Sequence, residues 1–152
     1  MNNTALSAEV QSTNNTHMVF VNEEHKKFYY EKLAQAGCQD CYHMALFYIL
    51  GISKDTRKHF RQIYDIKSGC IKTECLHQGW QTSSSIKVVR FAFNLYTDGM
   101  PSVCDYEDSD EQVSECRGYS VSDIFCCNYA MYFWEGIKLR YPEYCRKWKS
   151  IE

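Results

Sequence analysis

Apolar residues recur at helical spacing in the first patterned part of the chain. Tyr29, Leu33 and Ala36 fall on one face of a helix that this spacing predicts over residues 23–36. Gly37 follows at once, and glycine commonly ends a helix because it adopts the left-handed conformation without strain. The first element is therefore expected to be a helix with one buried face.

The next two helices are predicted from residues that can cap them. Asp40 can accept hydrogen bonds from the first turn of a helix over about 41–50, which Gly51 would end. Ser53 can do the same for a helix over about 54–65. The apolar spacing of this third helix predicts four residues on its buried face: Thr56, Phe60, Ile63 and Tyr64. The residues predicted to face mostly outward are basic: Lys54, Arg57, Lys58 and Arg61.

Two further helices follow. Thr82 or Ser83 can cap a fourth helix that reaches about Tyr96, and it has so few polar positions that we expect it to be central. A last helix is predicted from near Ser120 to about Leu139. Two apolar stripes along it favour core packing: Cys126, Ala130, Phe133 and Ile137 in one, and Ile124, Cys127, Met131 and Trp134 in the other.

No segment alternates strictly between apolar and polar residues, so the predicted fold class is mainly α, with about five helices around one core. Two long irregular segments are expected, a Cys/His loop over 66–81 and an acidic loop over 98–117. Residues 1–20 are rich in Asn, Thr and Ser, and we expect a disordered tail there. Residues 21–152 are expected to form a single helical domain.

The compartment follows from two features. The longest apolar run, "MALFYILGI", is far shorter than the roughly 20 residues of a membrane-spanning helix. The N-terminus has neither the basic nor the apolar region of a secretory signal, so we expect a cytoplasmic protein. Stable disulfides are not expected in that reducing compartment.

Nine cysteines are many for such a protein, and their spacing suggests a zinc site. Cys38 and Cys41 are separated by two residues, so both sulfurs could reach one ion from a tight turn at a helix start. Cys70, Cys75 and His77 could supply the remaining ligands from the irregular loop. A structural zinc ion would order that loop and tie it to the first two helices.

Alternative roles for these residues stay open. Each cysteine could simply pack as a small buried hydrophobe, since free cysteine is among the most buried residue types. His43 is a weaker candidate ligand, because it lies close to Cys41 among predicted core residues. A thioredoxin-like redox role for Cys38 would need alternating strands and helices, which the pattern lacks.

Charge is unevenly distributed along the chain. No Lys or Arg occurs from Phe91 to Cys116, and this stretch carries the candidate partner-binding residues Asp105, Tyr106, Glu107, Asp108, Asp110 and Glu111. Such a segment is either a solvated loop or a docking surface for a basic partner. The basic face of the third helix supports a rival hypothesis, a small DNA-binding regulator.

Known catalytic motifs, such as the nucleophile elbow, the zinc-protease helix and the P-loop, are absent, so we expect a protein that is not an enzyme. Three segments carry a resemblance: "YHMALFYILGISKDTR", "LHQGWQTSSSIKVVRFAFNLYTDG" and "YFWEGIKLRYPEYC". They resemble a small family carried by phages and mobile elements of Gram-positive bacteria. The resemblance covers roughly residues 25–146.

Some proteins from that setting are anti-CRISPR inhibitors of type II effectors, and the chain is similar to one that contains zinc. The resemblance therefore implies a non-catalytic protein of the host bacterial cytoplasm that binds a type II CRISPR effector nuclease. Such nucleases hold their guide–target duplex in a positively charged channel, so an acidic surface could obstruct DNA loading or cleavage.

Overall fold

The computed structural model describes residues 17–102 and 109–145, and it confirms a mainly α fold. The described part contains eight α-helices, one 3-10 helix and one two-stranded antiparallel hairpin. The α-helices are α1 (Glu23–Ala36), α2 (Cys41–Ile52), α3 (Lys54–Lys58), α4 (Phe60–Ile63), α5 (Ser85–Thr97), α6 (Ser109–Arg117), α7 (Val121–Ile124) and α8 (Ala130–Arg140). The hairpin pairs β1 (Tyr64–Asp65) with β2 (Cys70–Ile71), and the 3-10 helix is Thr73–His77. Among these helices, none is long and apolar enough to cross a bilayer.

The centre of the fold is α2. Every residue from Ala45 to Ile52 is buried, because this helix is apolar on all sides and must be covered on all sides. Helices α1, α5 and α8 pack around it and supply that cover. The remaining elements pack around these four helices, and some add buried side chains to the same core, among them Phe60, Ile63, Leu76 and Ile124.

Two glycines allow helices to approach α2 closely. Gly51 was predicted to end this helix, which is wrong, since the helix continues to Ile52. A Cβ atom at Gly51 would lie 2.5 Å from the His25 ring of α1, so the glycine makes room for that ring. Likewise, a Cβ atom at Gly136 of α8 would lie 2.5 Å from the Cδ1 atom of Ile49. Both positions are therefore required for close packing.

The first helix agrees with its prediction at both ends. The Asn22 side chain accepts a hydrogen bond from the backbone N–H of His25, and Gly37 ends the helix with a left-handed φ of 64°. Of the predicted tail, residues 1–16 lie outside the described residues. At the C-terminal end of the predicted tail, the Phe20 ring packs against the rings of Tyr29 and Tyr48.

The predicted single helix over 54–65 is wrong beyond residue 58. The chain forms two short helices interrupted at His59, and Tyr64 and Asp65 pair with β2 instead of extending a helix. The His59 ring contacts the Asp55 carbonyl through Nδ1 at 2.9 Å, which fixes the break. Burial of Thr56, Phe60, Ile63 and Tyr64 agrees with the prediction.

The predicted acidic loop is wrong for residues 109–117, which form α6. Acidic residues in the first turn and Arg117 in the last turn complement the helix dipole, so the same charges that suggested a loop favour a helix. The predicted last helix over 120–139 is also interrupted, between α7 and α8. This break shifts the helical phase, and Met131 and Trp134 are exposed by 72% and 61% instead of lying in the core.

Arg140, at the end of α8, binds the end of α5. Its Nε atom donates to the Leu95 carbonyl at 2.8 Å, and Nη2 donates to both carboxylate oxygens of Asp98 at 2.7 and 2.9 Å. The guanidinium also lies 3.7 Å from the centroid of the Tyr42 ring. Asp98 has a left-handed φ of 56°, which is uncommon outside glycine. One side chain thus holds together three elements of the core.

His25 is a buried titratable group that makes the fold sensitive to acid. Its Nδ1 atom accepts from the Val21 N–H, and its Nε2 atom donates to the Tyr48 carbonyl at 2.7 Å, so the neutral ring is fully bonded. Burial lowers the pKa of His25 to about 4, against the opposing effect of the Tyr48 carbonyl and with some help from the charge of Arg57. The folded protein therefore binds this proton less readily than the unfolded chain.

We expect the contribution of His25 to the free energy of unfolding to be full above pH 6.5, the ordinary pKa of histidine, and to fall by about 3 kcal/mol as the pH drops towards 4. Below the ordinary pKa the unfolded chain takes up a proton that folded His25 does not. Urea denaturation at several pH values should show this loss in the wild type and a flatter profile in His25→Gln. The exposed His17→Gln is the control and should keep the wild-type slope. An unchanged slope in His25→Gln would contradict this assignment.

Candidate metal centre

The site lies where the chain passes from α1 to α2. Gly37 turns the chain out of α1, and Asp40 caps α2 by accepting hydrogen bonds from the backbone N–H groups of Tyr42 and His43, each at 3.0 Å. The Asp40 Oδ2 atom lies 2.6 Å from Nδ1 of the same His43. The geometry that starts the helix therefore also fixes an imidazole ring beside a carboxylate.

Cys38 completes a group of three possible metal ligands. One ligand atom each from Cys38, Asp40 and His43 lies within 4.8 Å of the others. Within residues 17–102 and 109–145, no other group of three or more such residues has its ligand atoms so close together. Cys38 and His43 are half-buried, while Asp40 is exposed, so the site is accessible from solvent. Thiolate, imidazole and carboxylate are the donor types of zinc sites.

Asp40 is ready to act as an anionic ligand. Partial burial would raise the pKa of Asp40, but the backbone N–H and the side chain of His43 outweigh it, and the pKa lies below its usual value. The carboxylate is therefore ionised at neutral pH. The same carboxylate contacts Nδ1 of His43 and so fixes the orientation of the ring.

A chain of hydrogen bonds continues from the far side of His43. Its Nε2 atom lies 3.1 Å from the Tyr64 hydroxyl, which lies 3.1 Å from the Tyr96 hydroxyl. Tyr96 donates to the Gly69 carbonyl at 2.9 Å. Burial and the Tyr96 contact raise the pKa of Tyr64 well above its ordinary value, so the phenol stays neutral. The chain links the first two helices to α5 and the hairpin.

Two of the sulfurs predicted as ligands lie elsewhere. Cys41 is the first residue of α2, and its Sγ atom accepts a hydrogen bond from Arg140 at 3.7 Å. Cys70 is exposed in the hairpin, and its thiol donates to the Ser68 carbonyl at 3.5 Å. Neither sulfur joins the group formed around Cys38.

The remaining two predicted ligands also stay apart from this group. Burial, together with the nearby charge of Glu74, raises the pKa of the Cys75 thiol to about 12. The Cys75 side chain is fully buried and packs in the hydrophobic core. His77 contacts Glu115 of α6 through Nε2 at 2.6 Å. Its role in the structure is to hold α6 against the 3-10 helix.

The predicted ligand set shares Cys38 with this candidate group and does not contain Asp40 or His43. The sequence predicts Asp40 as a helix cap and His43 as a weaker candidate ligand. The signal was their spacing of three residues at a helix start, where a side chain at the third position can reach back to the capping residue. Because Cys38 lies two residues before the capping residue, this spacing brings three possible metal ligands together at one turn.

A model of the family of unknown function DUF6075 matches residues 15–152. The chain belongs to this family. No curated protein and no solved structure matches it. The match includes Cys38, Asp40 and His43, together with every other described element. Because the family description gives no function, the geometry of this DUF6075 member is the basis for its proposed function.

The grouping predicts that the protein binds one transition-metal ion per chain. Titration with Co²⁺, followed by its thiolate and ligand-field absorption, should reach saturation at one equivalent in the wild type. Cys38→Ser and His43→Gln should each weaken Co²⁺ binding by about tenfold or more, because each removes a donor. The exposed thiol variant Cys126→Ser is the matched control and should titrate like the wild type.

Proposed function

We propose that this protein is a non-catalytic inhibitor that acts by binding a protein partner in the cytoplasm of a host bacterial cell. The proposed partner is a type II CRISPR effector nuclease, which is the partner implied by the sequence resemblance. The observation that carries the proposal is an acidic helix, α6, held against the body of the molecule. Blockade of DNA loading or cleavage is the proposed effect.

Two side chains from the body of the protein anchor α6. The Glu115 Oε1 atom lies 2.6 Å from His77 Nε2, and Oε2 lies 3.7 Å from Arg90 Nη2. The Arg90 guanidinium also packs against Gly118, where a Cβ atom would lie 2.3 Å from Nη1. The helix is therefore presented in a fixed orientation.

The outer part of α6 carries charge and apolar surface. Asp110 and Glu111 are exposed in its first turn, and Val113 is also exposed. The other residues assigned to partner binding, Asp105, Tyr106, Glu107 and Asp108, lie outside the described residues. An acidic helix with an apolar position suits a basic protein surface, where complementary charge steers association and fixes orientation. A nuclease channel that accepts nucleic acid is such a surface.

We propose zinc as the metal of the centre, held by Cys38, Asp40 and His43 in a supporting role. Sulfur, nitrogen and oxygen donors together suit zinc, whose tetrahedral coordination would leave one position for water. An ion there would fasten the junction of α1 and α2 to Tyr64 and Tyr96. In this proposal Asp40 and His43 replace Cys41, Cys70, Cys75 and His77 as ligands.

A DNA-binding regulator of a mobile element is the second candidate function. It is favoured by the exposure of Lys54, Lys58 and Arg61 on neighbouring short helices. Two observations weigh against it. Arg57 turns inward, donating to the Gly51 carbonyl at 2.6 Å and to Glu24 at 2.9 Å. The basic segment is also two short helices instead of one continuous recognition helix.

The inhibitor proposal is tested with purified, guide-loaded type II nuclease. We expect a stable complex at one-to-one stoichiometry and loss of target-DNA binding or cleavage. Reversing charge in Asp110→Lys/Glu111→Lys should weaken the complex by about tenfold at low salt and less at high salt, because salt screens the charged contribution. Thermal melting of the variant must first show that it is folded.

The matched control is Glu23→Lys/Glu143→Lys, which makes the same charge change at exposed positions outside α6. It should bind the nuclease like the wild type. Absence of any complex with the guide-loaded nuclease would reject the inhibitor proposal. A shift of duplex DNA by the protein alone, lost when Lys58 and Arg61 are neutralised, would instead support the regulator.

A further inference from the structure

A basic groove lies between α1 and the pair α3–α4. It has a volume of about 310 Å³ and is lined by Lys32 and residues 57–62. This volume is at the lower end of small-molecule sites, which measure about 300–1,000 Å³. Its walls include Lys58 and Arg61, both exposed. The groove is separate from the candidate metal centre and from α6.

Of the four Lys and Arg residues that line this groove, only Arg57 has a carboxylate partner among the described residues. Within the described residues, Arg57 pairs with Glu24 at 2.9 Å, whereas no carboxylate lies within ion-pair distance of Lys32, Lys58 or Arg61. Like charges brought together without counter-charges repel one another, and an anion between them relieves that repulsion. The groove therefore favours a negatively charged occupant.

Lys32 is held in place and partly desolvated. Its Nζ atom lies 4.7 Å from the centroid of the Phe60 ring and 5.5 Å from that of Phe28, and it donates to Gln35 at 3.0 Å. Burial lowers the pKa of Lys32; the charge of Glu31 opposes this and that of Arg61 adds to it. An ammonium group fixed over aromatic rings near a second cation is prepared to bind an anion without reorganising.

We propose that this groove is a binding site for a phosphate group. A phosphate carries several acceptor oxygens and more than one negative charge, so it can contact the ammonium of Lys32 or Lys58 and the planar guanidinium of Arg61 at once. The same contacts serve a phosphodiester of a nucleic-acid backbone and the phosphate of a small metabolite. The inference does not depend on the inhibitor proposal.

A tryptophan near the groove provides a direct reporter. The Trp80 ring stacks on the lining residue His59, with centroids 4.4 Å apart and planes at 8°. The imidazole is fixed by its contact with the Asp55 carbonyl. An anion in the groove changes the electric field at this stacked pair and hence the fluorescence of the indole.

The experiment uses full-length protein carrying Trp134→Phe and Trp148→Phe, which leaves Trp80 as the only tryptophan. Its fluorescence is followed while inorganic phosphate, or a 12-nucleotide single-stranded DNA, replaces chloride at constant ionic strength. Two variants are compared in this background. Lys58→Gln/Arg61→Gln removes two groove cations, and Lys26→Gln/Lys27→Gln removes two exposed cations of α1 that do not line the groove. Thermal melting checks that both are folded.

We expect saturable binding in the parent and in the Lys26→Gln/Lys27→Gln control, and at least about tenfold weaker binding in the groove variant. If the oligonucleotide binds, a plot of the logarithm of its binding constant against the logarithm of the salt concentration has a negative slope. That slope should become shallower by about one unit for each phosphate contact that a variant removes. Binding of both probes identifies a nucleic-acid backbone as an occupant, and binding of phosphate alone identifies a small phosphorylated molecule. The proposal is overturned if neither probe saturates, or if groove and control variants weaken binding equally.

Discussion

The structure depends on the burial of residues 45–52 of α2. A helix with eight consecutive buried residues has no face for solvent, so its neighbours must cover it from every direction. This constraint determines where α1, α5 and α8 pack and why glycine is needed at positions 51 and 136. It also fixes the first turn of α2 in space, because a buried helix cannot slide or rotate without exposing its core. The candidate metal centre is built on that fixed turn.

The centre derives its geometry from helix capping. Asp40 satisfies backbone N–H groups that the first turn of α2 would otherwise leave unpaired, and the same carboxylate holds the ring of His43. The ring then contacts the Tyr64 hydroxyl, which in turn contacts the Tyr96 hydroxyl. The turn that starts α2 thus brings three possible metal ligands together. The acidic helix α6 and the basic groove lie elsewhere on the molecule and suit partners of opposite charge.

Prediction from sequence succeeded where one strong local signal determined the outcome. Helix α1 and the start of α2 followed from Gly37 and Asp40, and the burial of Phe60 and Ile63 followed from apolar spacing. It failed at the breaks near His59 and between α7 and α8, because neither contains glycine or proline and the apolar period runs through both. The second break reversed the assignment of Met131 and Trp134. For the candidate site, cysteine spacing pointed to Cys38, but only the three-dimensional contacts bring it to Asp40 and His43 and place Cys41 beside Arg140 and Cys75 in the core.

Asp98 shows how narrowly a single position can be constrained. Its backbone lies in the left-handed region, which costs most residues about 1–2 kcal/mol and is tolerated best by glycine, asparagine and aspartate. Its carboxylate must also receive two hydrogen bonds from Arg140. Glycine meets the backbone demand but has no acceptor, and glutamate has the charge but not the conformational tolerance. Asparagine offers one acceptor oxygen and no charge. Among the twenty amino acids, aspartate alone meets both demands, so natural variation at this site should be almost nil wherever the arginine is retained.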